Sequence, residues 1–172
     1  MPNALMTPFA RYLWLALLVL LLDQLSKWAT VSYLALCEGP RSLCQRVELL
    51  PFFDLIYVRN PGAAFSFLAG AGGWQRWFFT AIAIAVSVVL VRWIKRSADS
   101  QPLPSWGCAL ILGGAIGNLI DRLWHGFVID FADFHVAGWH WPAFNIADSA
   151  ICVGAALLIL DSLLAGRRSK EP

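Results

Sequence analysis

Apolar residues gather in four long runs, and the charges inside those runs are few and sharply placed. Residues 12–33 are almost wholly apolar up to Asp23, with Lys27 four positions later. Residues 74–91 hold one charge, Arg76, near an end. Residues 103–122 carry none before Asp121 and Arg122, and residues 141–164 carry Asp148 and, close to the far end, Asp161. Runs of about 18–24 residues, rising 1.5 Å per residue as helix, match a hydrocarbon core of roughly 30 Å. A soluble fold would need four core helices that are apolar on every side, and nothing in the chain could cover them. The predicted fold is an α-helical integral membrane protein in one domain: four transmembrane helices with a small extracytoplasmic β-sheet region and loop at residues 34–73. Within that loop Val47–Leu50 and Phe53–Val58 read as short strands, bounded by Pro51 and by Asn60-Pro61-Gly62.

Lysine and arginine give the direction. Arg11 precedes the first run, Arg92, Lys95 and Arg96 join the second to the third, and Arg167, Arg168 and Lys170 form the tail. The positive-inside rule makes that side cytoplasmic and puts both termini there. The loops 34–73 and 122–140 then lie outside, where Trp74, Trp77, Trp124, Trp139 and Trp141 fit an interfacial aromatic belt. A cleaved signal peptide is the alternative for the first run. Asp23 and Lys27 stand where its small-residue cleavage site belongs, and Leu36 is too large for the position before Cys37 in a lipoprotein cleavage box.

Composition adds exclusions. The chain is 59% hydrophobic with a net charge of +2, and no basic stripe interleaved with aromatics argues for a nucleic-acid partner. Cys108 and Cys152 lie inside apolar runs as small packing residues. Cys37 and Cys44 lie in the polar loop, where a disulfide and two free thiols both remain open. No oligomerisation signal is present, so a monomer is the default.

With direction fixed, depths can be compared. Asp23 lies 11 residues beyond Tyr12, about 16 Å along the helix, in the outer half of the bilayer. Asn118, Asp121 and Arg122 end the third run at the outer face, Asn145 and Asp148 open the fourth there, and Asn60 and Asp130 lie in the outer loops. Acids at a bilayer margin are costly and tend to serve function. Asp130 and Asp148, at one depth, suit a carboxylate pair that shares a proton.

Each group also has a plainer role. Asp23 and Lys27 can form an ion pair on one helix face, and Asp121 can be anchored by Arg122. Gly113 and Gly117 are spaced for close helix packing. Asn145 can cap the fourth helix with Asp148 in its first turn, and Asp130 can be a loop acid. A zinc reading of His125, Asp130, Asp133, His135 and His140 lacks any His-Glu-x-x-His spacing, and histidines scattered beside tryptophans suit an interfacial loop equally well. A proton-coupled transporter or channel subunit is the rival class. It requires acids spread through the depth of the bilayer, whereas here they gather at one face. A purely structural membrane protein accounts for the glycines and the ion pair, but not for two further acids flanked by asparagines.

Five segments, in order, carry a resemblance: Asp23-Gln24-Leu25-Ser26-Lys27; Asn60-Pro61-Gly62-Ala63-Ala64-Phe65-Ser66; Gly113 through Arg122, including Gly114, Asn118 and Asp121; Val128-Ile129-Asp130-Phe131; and Phe144 through Ile151, including Asn145 and Asp148. Nearly end to end, the chain resembles the bacterial lipoprotein signal peptidases (signal peptidase II), four-span aspartic endopeptidases of the inner membrane. The resemblance implies cleavage of prolipoproteins just before a diacylglyceryl-modified cysteine, without metal or cofactor, and inhibition by globomycin-type cyclic peptides. It makes Asp130 and Asp148 the catalytic pair. Asn60, Gly114, Asn118, Arg122 and Asn145 become substrate-binding or supporting groups, and Asp23, Lys27 and Asp121 structural polar groups. Of the pair, Asp148 at a helix start is expected as the base and Asp130 as the acid. The Cys37 and Cys44 pair departs from the family's pattern.

Overall fold

The computed structural model describes residues 7–62, 68 and 70–168. Of the segments singled out above, Ala63-Ala64-Phe65-Ser66 and Lys170 lie outside the described residues. Four long helices form: α1 (Pro8–Tyr33), α2 (Trp74–Ser97), α3 (Pro102–Trp124) and α4 (Ile146–Arg168). All four are long and apolar enough to cross a membrane. Their surfaces invert the soluble pattern. Trp14, Leu18, Leu22, Leu25 and Trp28 of α1 are exposed, whereas Asp23 and Lys27 of the same helix are buried. Lipid solvates the outward side chains, and the polar ones turn to the bundle interior.

The third helix occupies the centre. In α3, 61% of the apolar window is buried, against 17–22% in the other three. Small residues permit this. A Cβ on Gly107 would stand 2.8 Å from the carbonyl oxygen of Gly154, so α3 and α4 meet backbone to backbone. At the end away from the polar cluster, Tyr12, Leu90, Ile94, Cys108, Ala109 and Leu112 form an apolar core. Proline starts α1 and α3, where its missing N–H costs no helix bond, and Thr7 caps α1 by accepting from the N–H of Ala10.

At the other end lies a four-stranded antiparallel sheet in the order β1 (Val47–Leu50), β2 (Phe53–Asn60), β3 (Val128–Val136), β4 (Trp139–His140). The strands expected at 47–50 and 53–58 are present. The segment 122–140, expected as a loop, supplies β3 and β4 instead. The fourth helix starts at Ile146 rather than near Trp141, because Pro142 and the cap at Asn145 set its beginning. The register between β2 and β3 shifts between Leu55 and Val58, so Ile56 and Tyr57 lie opposite one residue, Phe131. Such a bulge re-aims the side chains next to it, and Asp130 is the next paired residue, opposite Val58.

Cys37 and Cys44 form a disulfide with Cα atoms 5.1 Å apart, closing a small loop over the sheet. Arg41 inside that loop pairs with Asp133 at 2.9 Å, and Asp133 also meets Nδ1 of His140 at 2.8 Å. Across the β2–β3 ladder Asp54 is the register partner of Asp133, and it meets Arg46 at 3.5 Å and His135 at 3.1 Å. Trp74, Trp77, Trp124, Trp139 and Trp141, the expected aromatic belt, are all exposed.

Candidate active site

The polar residues singled out in sequence converge where the sheet meets the bundle, and they arrange in two layers. The deeper layer is ionic. Lys27 is 1% exposed and lies 2.8 Å from Asp23 and 2.9 Å from Asp121, both equally buried. A buried ammonium is costly unless paired and hydrogen-bonded; here two carboxylates and Oδ1 of Asn118, at 2.9 Å, surround it. The expected i,i+4 pair is thus part of a triad. The expected Asp121–Arg122 pairing is not formed, because helical neighbours point about 100° apart. Asp121 turns inward to Lys27 and accepts the N–H of Ile129 at 3.0 Å, while Arg122 donates to the carbonyls of Gly62 at 3.0 Å and Asn118 at 3.3 Å.

The triad also fixes the elements around it. Asp23 on α1 accepts the N–H of Ala147 at 2.9 Å, satisfying one of the open amides at the start of α4. Gln24 donates to Asp23, to the Gly117 carbonyl and to Asp121 at 3.1–3.2 Å. Sequence reasoning passed over Gln24, although it stands inside the first motif. A Cβ on Gly117 would fall 2.5 Å from the Asp23 carboxylate, so only glycine lets that acid lie against α3. Gly114 faces the backbone of Ala147 and the side chain of Ile151, in the α3–α4 contact.

The upper layer holds Asp130 and Asp148 among amides. Asp130 on β3 accepts from Nδ2 of Asn60 at 3.0 Å and from Nδ2 of Asn145 at 2.8 Å. Asp148, in the first turn of α4, accepts from Nδ2 of Asn118 at 2.8 Å. Asn145 serves both sides. Its Oδ1 accepts the Asp148 N–H at 2.9 Å as the expected helix cap, while its Nδ2 reaches Asp130. One chain of contacts therefore runs from Lys27 through Asn118 to Asp148, and from Asp148 through Asn145 to Asp130.

Electrostatics separates Asp130 from an ordinary acid. At 2% exposure, burial pushes its carboxyl up to about 7, and the charge of Asp148 pushes the same way. Hydrogen bonds from Asn60 and Asn145 and the charge of Lys27 oppose this and are outweighed. Among the described residues no lysine, arginine or histidine lies within ion-pair distance of either Asp130 or Asp148.

Of the five residues weighed for zinc, Asp133, His135 and His140 lie together on the sheet, while His125 and Asp130 belong to other contacts. Among the described residues no three of His, Cys, Asp and Glu form a group that could hold a metal ion. Asp133 and His140 belong to the sheet's ionic network, and His125 stacks on Phe127. That network of Asp54, Asp133, Arg41 and Arg46 escaped sequence reasoning, because its members come from three separate segments with no shared motif.

Four helices long and apolar enough to cross a membrane thus bring several buried carboxylates together at one end. Residues 15–164 match the family of signal peptidase (SPase) II. Over 161 residues, 94% of this chain, it is 55% identical to a lipoprotein signal peptidase of Alteromonas mediterranea, covering 85% of that protein. It is 52% identical to the one of Escherichia fergusonii, covering 94% of each. A solved structure described as a bacterial membrane enzyme superposes with a TM-score of 0.80 at 30% identity, over 94% of this chain and 92% of that one. The chain belongs to the signal peptidase II family.

Proposed function

We propose that this enzyme removes signal peptides from prolipoproteins by hydrolysing the peptide bond just before a diacylglyceryl-modified cysteine, with Asp130 and Asp148 as the catalytic pair. The observation that carries the reading is that both acids accept from asparagine amides, with no cation in ion-pair range among the described residues, and that the charge of Asp148 acts on the buried Asp130. Both cannot stay ionised at close range, so the pair holds one proton between them over a broad pH range. One carboxylate takes a proton from water as the water oxygen attacks the scissile carbonyl carbon. The other, protonated, donates to the carbonyl oxygen. Collapse of the tetrahedral intermediate passes a proton to the leaving nitrogen of the lipid-modified cysteine and breaks the carbon–nitrogen bond. Asp130 suits the donor, since its carboxyl, held near pH 7, keeps a proton that an ordinary aspartate has lost. Asp148 suits the base, because the helix N-terminus and the Asn118 amide support its negative charge. The two titrate as a unit.

Asn60, Asn118 and Asn145 hold the pair, and Arg122 anchors Gly62, next to Asn60 in the loop that follows β2. A peptide lying in lipid needs partners for its backbone groups, which these amides and Arg122 can offer. The diacylglyceryl chains lie in the bilayer between helices, and a globomycin-type peptide competes for the same pair. With both termini cytoplasmic, the site opens at the outer face of the bacterial inner membrane, and the enzyme works as a monomer.

The test is cleavage of a diacylglyceryl-modified prolipoprotein by wild type, Asp130→Asn, Asp148→Asn and Asp121→Asn in detergent. The reading expects no cleavage by the first two variants, with the fold and binding of a globomycin-type peptide retained. Normal cleavage by either variant moves the chemistry to Asp121 and Asp23, and no cleavage by wild type reopens the transporter class.

A further inference from the structure

At the end of the bundle opposite the aspartates, a groove of about 590 Å³ opens between the last turns of α2 and the turn into α3. It is lined by Val89, Trp93, the guanidinium-bearing Arg92 and Arg96, and Ser97, Ser100 and Gln101. Arg92 and Arg96 are four apart on α2, so their side chains emerge one above the other on one face. Neither side chain has a hydrogen bond or ion pair to any described residue. Of the other arginines with described side chains, only Arg11 likewise lacks such a partner, lying over the Tyr12 ring. Arg41, Arg46, Arg76 and Arg122 all donate to named protein oxygens. Asp99, on the adjoining turn, is exposed and pairs with neither.

The groove's depth defines what can reach it. It lies at the terminus of a spanning helix, where the headgroups of one leaflet meet the protein. Val89 and Trp93, both exposed, carry the wall from polar to apolar along the membrane normal. α3 starts beside it, with Gln101 as its cap residue. Paired guanidiniums suit a phosphodiester through forked hydrogen bonds, and basic pockets at this depth take anionic lipid headgroups.

We propose that this groove is a binding site for the phosphodiester headgroup of an anionic phospholipid, with Arg92 and Arg96 on the phosphate, Ser100 and Gln101 on the polar headgroup, and an acyl chain along Val89 and Trp93. The site is separate from the proposed catalytic pair, and its occupant is a lipid that is not cut. Lys95 lies on the same turn but does not line the groove, so it controls for charge alone.

The test is thermal unfolding of the delipidated, full-length enzyme in a neutral detergent, titrated with phosphatidylglycerol, phosphatidylcholine or glycerol phosphate. The expected result is a saturable rise in Tm with phosphatidylglycerol, and little with the other two. Half-saturation should weaken about tenfold in Arg92→Gln/Arg96→Gln, a discrimination of the size one lost forked contact gives, and stay unchanged in Lys95→Gln. Each single arginine variant should fall between, which keeps the test alive where the double variant does not fold. An equal rise with phosphatidylcholine, an equal rise with glycerol phosphate, or unchanged half-saturation in both single variants overturns the proposal. The glycerol phosphate outcome would mark a free-phosphate site instead.

Discussion

Two groups of carboxylates sit at the sheet end of this protein, and they differ in what answers their charge. Asp23 and Asp121 share the ammonium of Lys27 at 2.8 and 2.9 Å, while Asp133 meets Arg41 at 2.9 Å and Asp54 meets Arg46 at 3.5 Å. Asp130 and Asp148 meet asparagine amides alone among the described residues. A cation fixes a buried acid in its ionised state and makes it a strut. An amide holds the carboxylate in place but leaves its charge unneutralised, so the proton stays exchangeable. Burial alone would not have separated the two groups, since Asp23, Asp121, Asp54, Asp133 and Asp130 are all buried.

The contrast makes opposite demands on the two groups. Neutralising the amide-held acids should remove chemistry and spare the fold. Asp130→Asn and Asp148→Asn are each expected to lower cleavage of a diacylglyceryl prolipoprotein by about 10³-fold or more, with Tm within a few degrees of wild type. Removing the cation from a strut should do the reverse. Lys27→Met strands two carboxylates in the bundle and should cost about 3–5 kcal/mol, read as a large drop in Tm or in folded yield. A stable Lys27→Met enzyme would mean the ionic layer is not what joins α1 to α3.

Asn60→Ala removes one of two amides on Asp130 and should slow turnover about tenfold to a hundredfold while leaving Tm nearly unchanged. Wild-type rates would remove Asn60 from the site. The pH response discriminates further. Because the folded-state value for Asp130 is raised from an ordinary carboxylate to about 7, the folded protein holds a proton that the unfolded chain has lost. Its contribution to stability is complete below about pH 4 and is lost as pH rises through 7. Asp130→Asn should therefore flatten the decline of Tm between pH 4 and 7, and an unchanged slope would assign that proton elsewhere. The smallest effect is expected at the disulfide. Cys37→Ser/Cys44→Ser should cost about 2 kcal/mol by freeing the loop that carries Arg41, with cleavage largely kept.

How far the residues announced this arrangement depended on how local the signal was. Four apolar runs prescribed four helices, since burying or lipid-solvating such runs leaves no other backbone solution. The Asp23–Lys27 pair, the cap of Asn145 on Asp148 and the strands beginning at Val47 and Phe53 were legible, because each is written within a few residues. What stayed hidden is what only the fold brings together. Asp121 abandons its neighbour Arg122 for Lys27, 94 positions away in the chain. The segment holding Asp130 becomes β3 because it pairs with β2 across the molecule, not because of an alternating pattern of its own; its first six residues are buried on both faces. The start of the fourth helix moved from Trp141 to Ile146 for a similar reason. Apolar composition continues through Trp141, but Phe144 is tied to Ala132 as a strand bridge before the helix can begin.

The apolar core of Tyr12, Leu90, Ile94, Cys108, Ala109 and Leu112 fills the half of the bundle remote from the aspartates. It acts as an insulator. Its hydroxyls, Tyr12 on the Ala98 carbonyl and the adjoining Ser97–Ser105 pair, make no described bond to the polar layers, so among the described residues no continuous hydrogen-bonded path leads from the acid pair to that end. An enzyme built this way draws nothing from the membrane potential or the proton gradient. It should run at the same rate in a vesicle whether or not the membrane is energised, following the acidity of one face and indifferent to the other.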